Sequence, residues 1–424
     1  MIVHDSLTQV ARVRALLPAL SQIAPSGRTP VFFDAPGGAQ VTQRMLDAMT
    51  GYLSRYNANL GAPYFSSQQT VAVMQQARES VAALLNAQAE NIVFGPTATN
   101  LMFGFSRALS QTWQAGDEII VSALDHYSNV SSWQRAAQDR GVTVHQVRLD
   151  PETLDLDYVH LARLLNARTR LVAVTHASNV SGQIVDVARV VALAKSVGAL
   201  TFVDAVHYAP HHLVDVQALD CDFLAISAYK FTGPHVASLY AKTEHLERLQ
   251  PYKVEPAACV NPHQWEQGTQ NFEGLAALSA TVEYLADVAA IVGLTGHVAA
   301  TATLRERLVA SFAWMHQHEQ DLSAYFLERL AAYPQITLYG RREVQGRTPT
   351  FAFRIAGRSP REFSEFCGQY DVCVGDGHFY AQGLVTHLGL MEQGGVNRLG
   401  FLHYNTRSEI ERFFELLDVF LSQP

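Results

Sequence analysis

The stretch FLAISAYKFTGPH, residues 223–235, puts a lysine at the end of a short apolar strand, between an aromatic residue and a Gly-Pro turn. Read alone, Lys230 is either a surface lysine opening a loop or an amine held in a site. The pattern around it decides what kind of sheet that strand belongs to. Short β-rich apolar runs recur before and after it: NIVFG (91–95), DEIIVS (117–122), VTVHQVRL (142–149), TRLVAVTHAS (169–178), ALTFVDAVH (199–207), DFLAIS (222–227) and VASLYAK (236–242). Several are separated by helix-like segments such as ARVVALAKSVG, with apolar residues at helical spacing and a closing glycine. Alternating strand and helix predicts an α/β fold around a largely parallel, seven-stranded sheet. The last run follows its predecessor closely, so at least one strand is expected to be antiparallel.

After about residue 290 the character changes to long helical stretches, a few strands and a final helix, RSEIERFFELLDVFL. This predicts a smaller α+β C-terminal domain over 291–424, after a large domain over 26–290. At the start, Val10, Val13, Leu16, Leu17 and Leu20 recur at helical spacing. Residues 1–25 are expected to form a helix disturbed near Pro18 and packed on the small domain.

Composition narrows the function classes. The 424 residues carry 31 basic and 39 acidic side chains, a net charge of -8, with no Lys/Arg-rich run. Nothing in that balance points to nucleic acid or anionic lipid. No uninterrupted apolar run reaches membrane-spanning length, and the N-terminus lacks a basic segment ahead of an apolar core. A cytoplasmic location is the default expectation. The four cysteines, Cys221, Cys259, Cys367 and Cys373, form no CxxC pair and read as small buried residues. The pairs HH (211–212) and HQH (316–318) lack an acidic or Cys partner at ligand spacing and read as ordinary polar residues, with no metal expected.

Open sheets of this kind bind small molecules at the carboxyl ends of their strands. After NIVFG comes PTATN, a hydroxyl-rich turn opening a helix, which is either a simple N-cap or a phosphate cradle. The next runs lead to His126, to Asn179 and to Asp204, an acid that is costly to bury without a partner. FLAIS leads to Ser227, Tyr229 and Lys230. A phosphate cradle, an aromatic face, an amide, a carboxylate and a terminal lysine on one sheet edge are what pyridoxal 5'-phosphate (PLP) needs. The lysine forms the Schiff base, and the carboxylate keeps the pyridine nitrogen protonated.

These motifs resemble the class V aminotransferase group of fold-type I PLP enzymes, in particular its cysteine desulfurase-like and selenocysteine lyase-like branch. The resemblance runs from VFFDAPGGAQ to NRLGFLHYNTRSEIERF and is strongest in VDVQALDCDFLAISAYKFTGP, where a Ser-Ala-Tyr-Lys unit stands in place of Ser-x-His-Lys. It implies that Lys230 carries the cofactor and that Ser227, Tyr229, Ala98 and Thr99 bind its phosphate. Asp204 would face the pyridine nitrogen, His126 would stack on the ring, and Asn179 would contact the ring hydroxyl. His207 takes the place of a usual Gln beside the phenolic oxygen. Thr269 resembles a phosphate contact reaching across a homodimer interface, and the segment holding Asn59 (55–68) resembles the loop approaching the partner's site. Arg398 resembles the clamp for the carboxylate of a small amino-acid substrate. In VGDGHFYAQGL, Tyr380 stands where such desulfurases carry the cysteine that takes sulfur as a persulfide, and a phenol cannot do so.

The chemistry expected is therefore β-elimination by a C–S lyase, with Lys230 and His126 as catalytic groups. The alternatives are an aminotransferase, or an epimerase using His378 or Tyr380 as the opposite-face acid. A non-enzymatic PLP-binding scaffold would need neither Lys230 nor Arg398. There is no GxGxxG after a strand, no GxxxxGK[ST] and no GxSxG, so dinucleotide, P-loop and hydrolase-elbow readings lack their loops.

Overall fold

The seven runs form one sheet. The computed structural model describes residues 2–294 and 301–423; residues 295–300, near the start of the expected C-terminal domain, lie outside the described residues. A short strand β1 (Val31–Phe32) comes first. The central sheet is then built from β2 (Ile92–Gly95), β3 (Glu118–Ser122), β4 (Thr143–Val147), β5 (Thr169–Thr175), β6 (Leu200–Asp204), β7 (Phe223–Ser227) and β8 (Ala237–Ala241). Their order across the sheet is β2-β8-β7-β6-β5-β3-β4. The neighbours from β7 to β4 run parallel, whereas β8 is antiparallel to both β7 and β2. Four of the seven strands are buried at every residue, and β5 and β6 at all but one, as expected when helices cover both faces of a sheet. The exception is the edge strand β4, where only Val147 is buried.

A second sheet of four antiparallel strands is ordered β12 (Gly375–Gly377), β13 (Val396–Gly400), β10 (Thr350–Ile355) and β9 (Ile336–Tyr339). Between these strands in sequence lies β11 (Val372–Cys373), which pairs in parallel with β1. The chain near residue 31 thus joins the C-terminal layer, and Phe33 packs in the same core as Phe326, Phe351 and Phe413. The helix Leu304–Leu330 bridges the two layers. Leu308, Phe312 and Met315 lie in the main core, while Leu322 and Phe326 lie in the C-terminal one. Its start is fixed by a capping box between Thr303 and Glu306.

The N-terminal helix Ile2–Arg14 gives way to a 3-10 turn at Pro18–Ser21. Val10, Val13, Leu17 and Leu20 are buried, but Leu16 faces out. Arg14 donates to the Tyr404 carbonyl at 2.6 Å and pairs with Glu409 at 2.9 Å.

Two sequence expectations need correction. The helix Phe272–Ile291 is long and apolar enough to cross a membrane by length and composition, a match that single uninterrupted runs do not reveal. It packs among Gln43–Arg55, Phe65–Leu85 and Leu304–Leu330, and 67% of the qualifying stretch is buried. Cys259 is exposed rather than buried, in a loop where Lys253 Nζ lies 3.5 Å from its sulfur; Cys221 and Cys367 are buried and Cys373 is half-buried.

Candidate active site

The carboxyl ends of β2, β3, β5, β6 and β7 open into one cavity of 570 Å³, closed from the other side by β13 and the loop after β12. Ala98, Thr99, His126, Asn179, Asp204, His207, Ser227, Tyr229, Lys230, Tyr380 and Arg398 all line it. Thr269, Asn59 and His378 do not; each is exposed outside it.

Lys230 ends a 3-10 turn, Ala228–Lys230, directly after β7. The turn is tight because Gly233 folds back on Ala228, donating to its carbonyl at 2.9 Å; a Cβ at Gly233 would sit 2.8 Å from the Ala228 Cβ. The amine is only 8% exposed, donates to the Pro36 carbonyl and lies 4.9 Å from the centre of the Tyr229 ring. Burial, then the nearby Arg398, lowers its pKa to about 7, against the pull of Asp204 and Asp34. Lys230 is thus a nucleophilic amine near neutral pH.

Asp204 is the last residue of β6, 4% exposed. One carboxyl oxygen accepts from the Val206 amide at 3.0 Å; the other has no hydrogen bond among the described residues. Burial raises its pKa to about 6. Behind it lies Asp125, which accepts from Ser122 and from Asn129 at 2.7 Å; burial raises its pKa to about 8. The negative charge of Asp204 adds to that rise, so both burial and its neighbour favour the neutral form of Asp125.

Thr97 caps the helix Ala98–Ser110, its hydroxyl accepting from the Asn100 amide at 3.0 Å. The cap and cradle readings are therefore compatible: the helix opens at the cavity, where its first amides have no intrahelical partner. The His126 Nδ1 accepts from the Ser128 amide at 3.1 Å, so the neutral ring carries its proton on Nε2. Burial, followed by Lys230 and Arg398, lowers its pKa to about 4.

Arg398 sits in β13 opposite Ala352 and Gly375. It donates to the Asn179 carbonyl at 2.7 Å, and its guanidinium lies 3.8 Å from the centre of the Phe379 ring. Burial lowers its pKa to about 9, partly opposed by Asp34, so it stays cationic at neutral pH. Phe379 and Tyr380 both have positive φ, 49° and 58°, which non-glycine residues adopt at a cost. The conformation is held by Asn179 Nδ2 donating to the Phe379 carbonyl at 2.9 Å and by the Tyr127 amide donating to the Tyr380 carbonyl at 2.8 Å. The Tyr380 ring is 67% exposed at the mouth, 5.3 Å from the His126 ring.

Sequence reasoning passed over Asp34, Pro36, Asp125 and Phe379. Asp34 and Pro36 lie in the quoted VFFDAPGGAQ, but the meeting of Pro36 with Lys230 spans 194 residues, and Asp34 bears on the same amine. None of the four cysteines lines the cavity. Cys373 faces a separate hollow with Pro30 and Phe32, and burial raises its pKa to about 11.

The cavity fits PLP. Buried Asn179 Oδ1 and His207 Nδ1 have no hydrogen-bond partner among the described residues, and both residues line it. An amine, a carboxylate with a free oxygen and a helix N-terminus complete the donor set.

A doubly covered α/β sheet with a lysine at this edge defines a PLP-dependent enzyme of fold type I. The family description "Aminotransferase class-V" matches residues 31–413. A cysteine desulfurase of Pectobacterium carotovorum is 32% identical over 419 residues, covering 95% of this chain and 96% of that one. The aminotransferase-like protein FGM3 of Gibberella zeae is 31% identical over 433 residues, covering 98% and 100%. Among solved structures, the Escherichia coli cysteine desulfurase CsdA in an S-sulfonic acid form superposes with a TM-score of 0.82 at 28% identity, covering 97% of this chain and 98% of that one. The chain belongs to the class V aminotransferase family and is a PLP-dependent, cysteine desulfurase-like enzyme.

Proposed function

We propose that the protein is a C–S lyase that removes a β-sulfur group from a small amino acid without passing the sulfur to a cysteine. The observation that carries this reading is the occupant of the loop after β12: Tyr380 faces the cavity there, while all four thiols lie elsewhere.

In this reading Lys230 holds PLP, and Ala98, Thr99, Ser227 and Tyr229 hold its phosphate. Asp204 faces the ring nitrogen, His126 the ring, and Asn179 and His207 the ring oxygen. Bound there, PLP supplies a carbonyl for the substrate amine and an electron sink for the Cα electrons. Arg398 takes the substrate carboxylate, held in place by Phe379 and the Asn179 carbonyl. Lys230, once released to the substrate, removes the Cα proton, which its lowered pKa permits near pH 7. The Cβ–S bond breaks, and the sulfur leaves with the proton that Lys230 took from Cα. The enamine product then hydrolyses to pyruvate and ammonia.

The exposed positions of Thr269 and Asn59 support a homodimer in which each reaches the other subunit's cavity, since neither reaches its own. The lyase reading is tested by adding L-cysteine, L-cystine and other amino acids to the PLP-loaded protein while following its visible absorbance, pyruvate and sulfide. Pyruvate release with a spectral change is expected. A spectral change without pyruvate would favour transamination or epimerisation.

A further inference from the structure

The histidine pairs that read as ordinary polar residues are brought together in the interior. His211 is in the turn after β6 that also carries His207, and His318 and Glu319 come from the bridging helix Leu304–Leu330. His207 lines the cavity, with Nε2 3.0 Å from the Thr350 hydroxyl and 3.3 Å from that of Thr348. The His211 ring packs edge-on against the His207 ring, centroids 5.6 Å apart. Its Nδ1 lies 2.9 Å from Glu319 Oε2. Glu319 is 2% exposed, and its Oε1 has no hydrogen-bond partner among the described residues.

The proton in this pair can be placed by elimination. A buried carboxylate with an unpartnered oxygen and no Lys or Arg in contact is costly, and a charged His211 would add a second desolvated ion. The groups facing the pair are His316, the Tyr404 phenol and the His403 amide at Glu319, and His207, His212 and His403 around His211. None offers a fixed opposite charge. Lys230 and Arg398 bear on His207 and further disfavour positive charge there. An uncharged pair is the cheaper arrangement: the carboxylic acid donates to His211 Nδ1. Burial acts in the same direction on both groups, raising the Glu319 pKa and lowering that of His211 to about 3.

We propose that Glu319 is a positioning residue, which as a neutral carboxylic acid hydrogen-bonds His211 and so fixes the turn that follows Asp204 and carries His207 against the cofactor's ring. The link ties the C-terminal layer to the two residues expected to set the cofactor's electronics, and it rests on the PLP reading of the cavity.

Three variants test it. Glu319→Gln keeps a donor for His211 Nδ1, so PLP affinity and the pH midpoint of the bound cofactor's absorbance should match the wild type. Glu319→Leu removes the donor and should weaken PLP binding about tenfold or more and move that midpoint. His211→Phe keeps a ring against His207 without the hydrogen bond; it must show the same loss and stands in if the Leu variant fails to fold. A Gln variant as impaired as the Leu variant would overturn the neutral pair, and a Leu variant with unchanged affinity and midpoint would overturn the positioning role. If the wild type binds no PLP, the cavity reading fails by itself. Thermal unfolding of the cofactor-free proteins then still judges the pair, with Gln expected to match the wild type and Leu to melt lower.

Discussion

The guanidinium of Arg398 lies 3.8 Å from the centre of the Phe379 ring, while its Nη1 donates to the Asn179 carbonyl at 2.7 Å. The stack and the hydrogen bond fix the plane of the fork and leave its remaining donors for a carboxylate. Truncating Phe379 to Ala should raise KM about 2- to 30-fold, the range of a partly desolvated cation–π contact, with a smaller effect on kcat. Arg398→Ala should cost about 100-fold or more in kcat/KM, the usual loss for a buried charged partner. Steady-state kinetics on both variants checks the order of these effects.

The amine of Lys230 titrates near 7 because of burial and Arg398. Capture of added PLP by the cofactor-free protein should therefore accelerate as pH rises through about 7, rather than near the ordinary lysine value of 10.5. The same shift links to stability. Between about 7 and 10.5 the unfolded chain holds more protons than the folded one, so this group's contribution to stability rises with pH across that window. Lys230→Met should flatten that part of the profile. It should also abolish the visible absorbance of the lysine-bound cofactor and all turnover.

Asp204, at the carboxyl end of β6, has one carboxyl oxygen without a hydrogen-bond partner among the described residues. Asp204→Asn should leave PLP bound but lower kcat roughly 30- to 160-fold, the scale of losing one charge-assisted hydrogen bond of about 2–3 kcal/mol. Absorbance titration of the loaded variant, compared with its kcat, separates this effect from cofactor loss.

Cys373 lies outside the cavity with a thiol pushed to about 11, and Cys259 is on the surface. Cys373→Ser and Cys259→Ser should each keep turnover within about twofold of the wild type, as for positions away from the reacting groups. A large loss of sulfur release in either would return a persulfide route to the account.

The parts of the site legible in the sequence are those carried by single strands. Asp204 closes LTFVD and Lys230 follows FLAIS by three residues, so an apolar run and the few residues after it contain the information. What the sequence does not display is long-range meeting. Asp34 and Pro36 come under Lys230 only because β1 crosses to pair with β11. His211 and Glu319 are 108 residues apart and read as isolated polar groups until the bridging helix joins them. The strand order, with β8 inserted between β2 and β7, is likewise a property of pairing rather than of any one run. Phe379 was hidden differently: its role depends on a left-handed backbone that places its ring over Arg398, and no local propensity announces that.

The most direct test of a lyase that bypasses cysteine is the fate of the carbon skeleton of L-cysteine. PLP-loaded protein incubated with L-cysteine should release pyruvate, ammonia and sulfide in equal amounts, with no persulfide on the chain. Alanine as the carbon product, with sulfur retained on a protein thiol, would contradict the account.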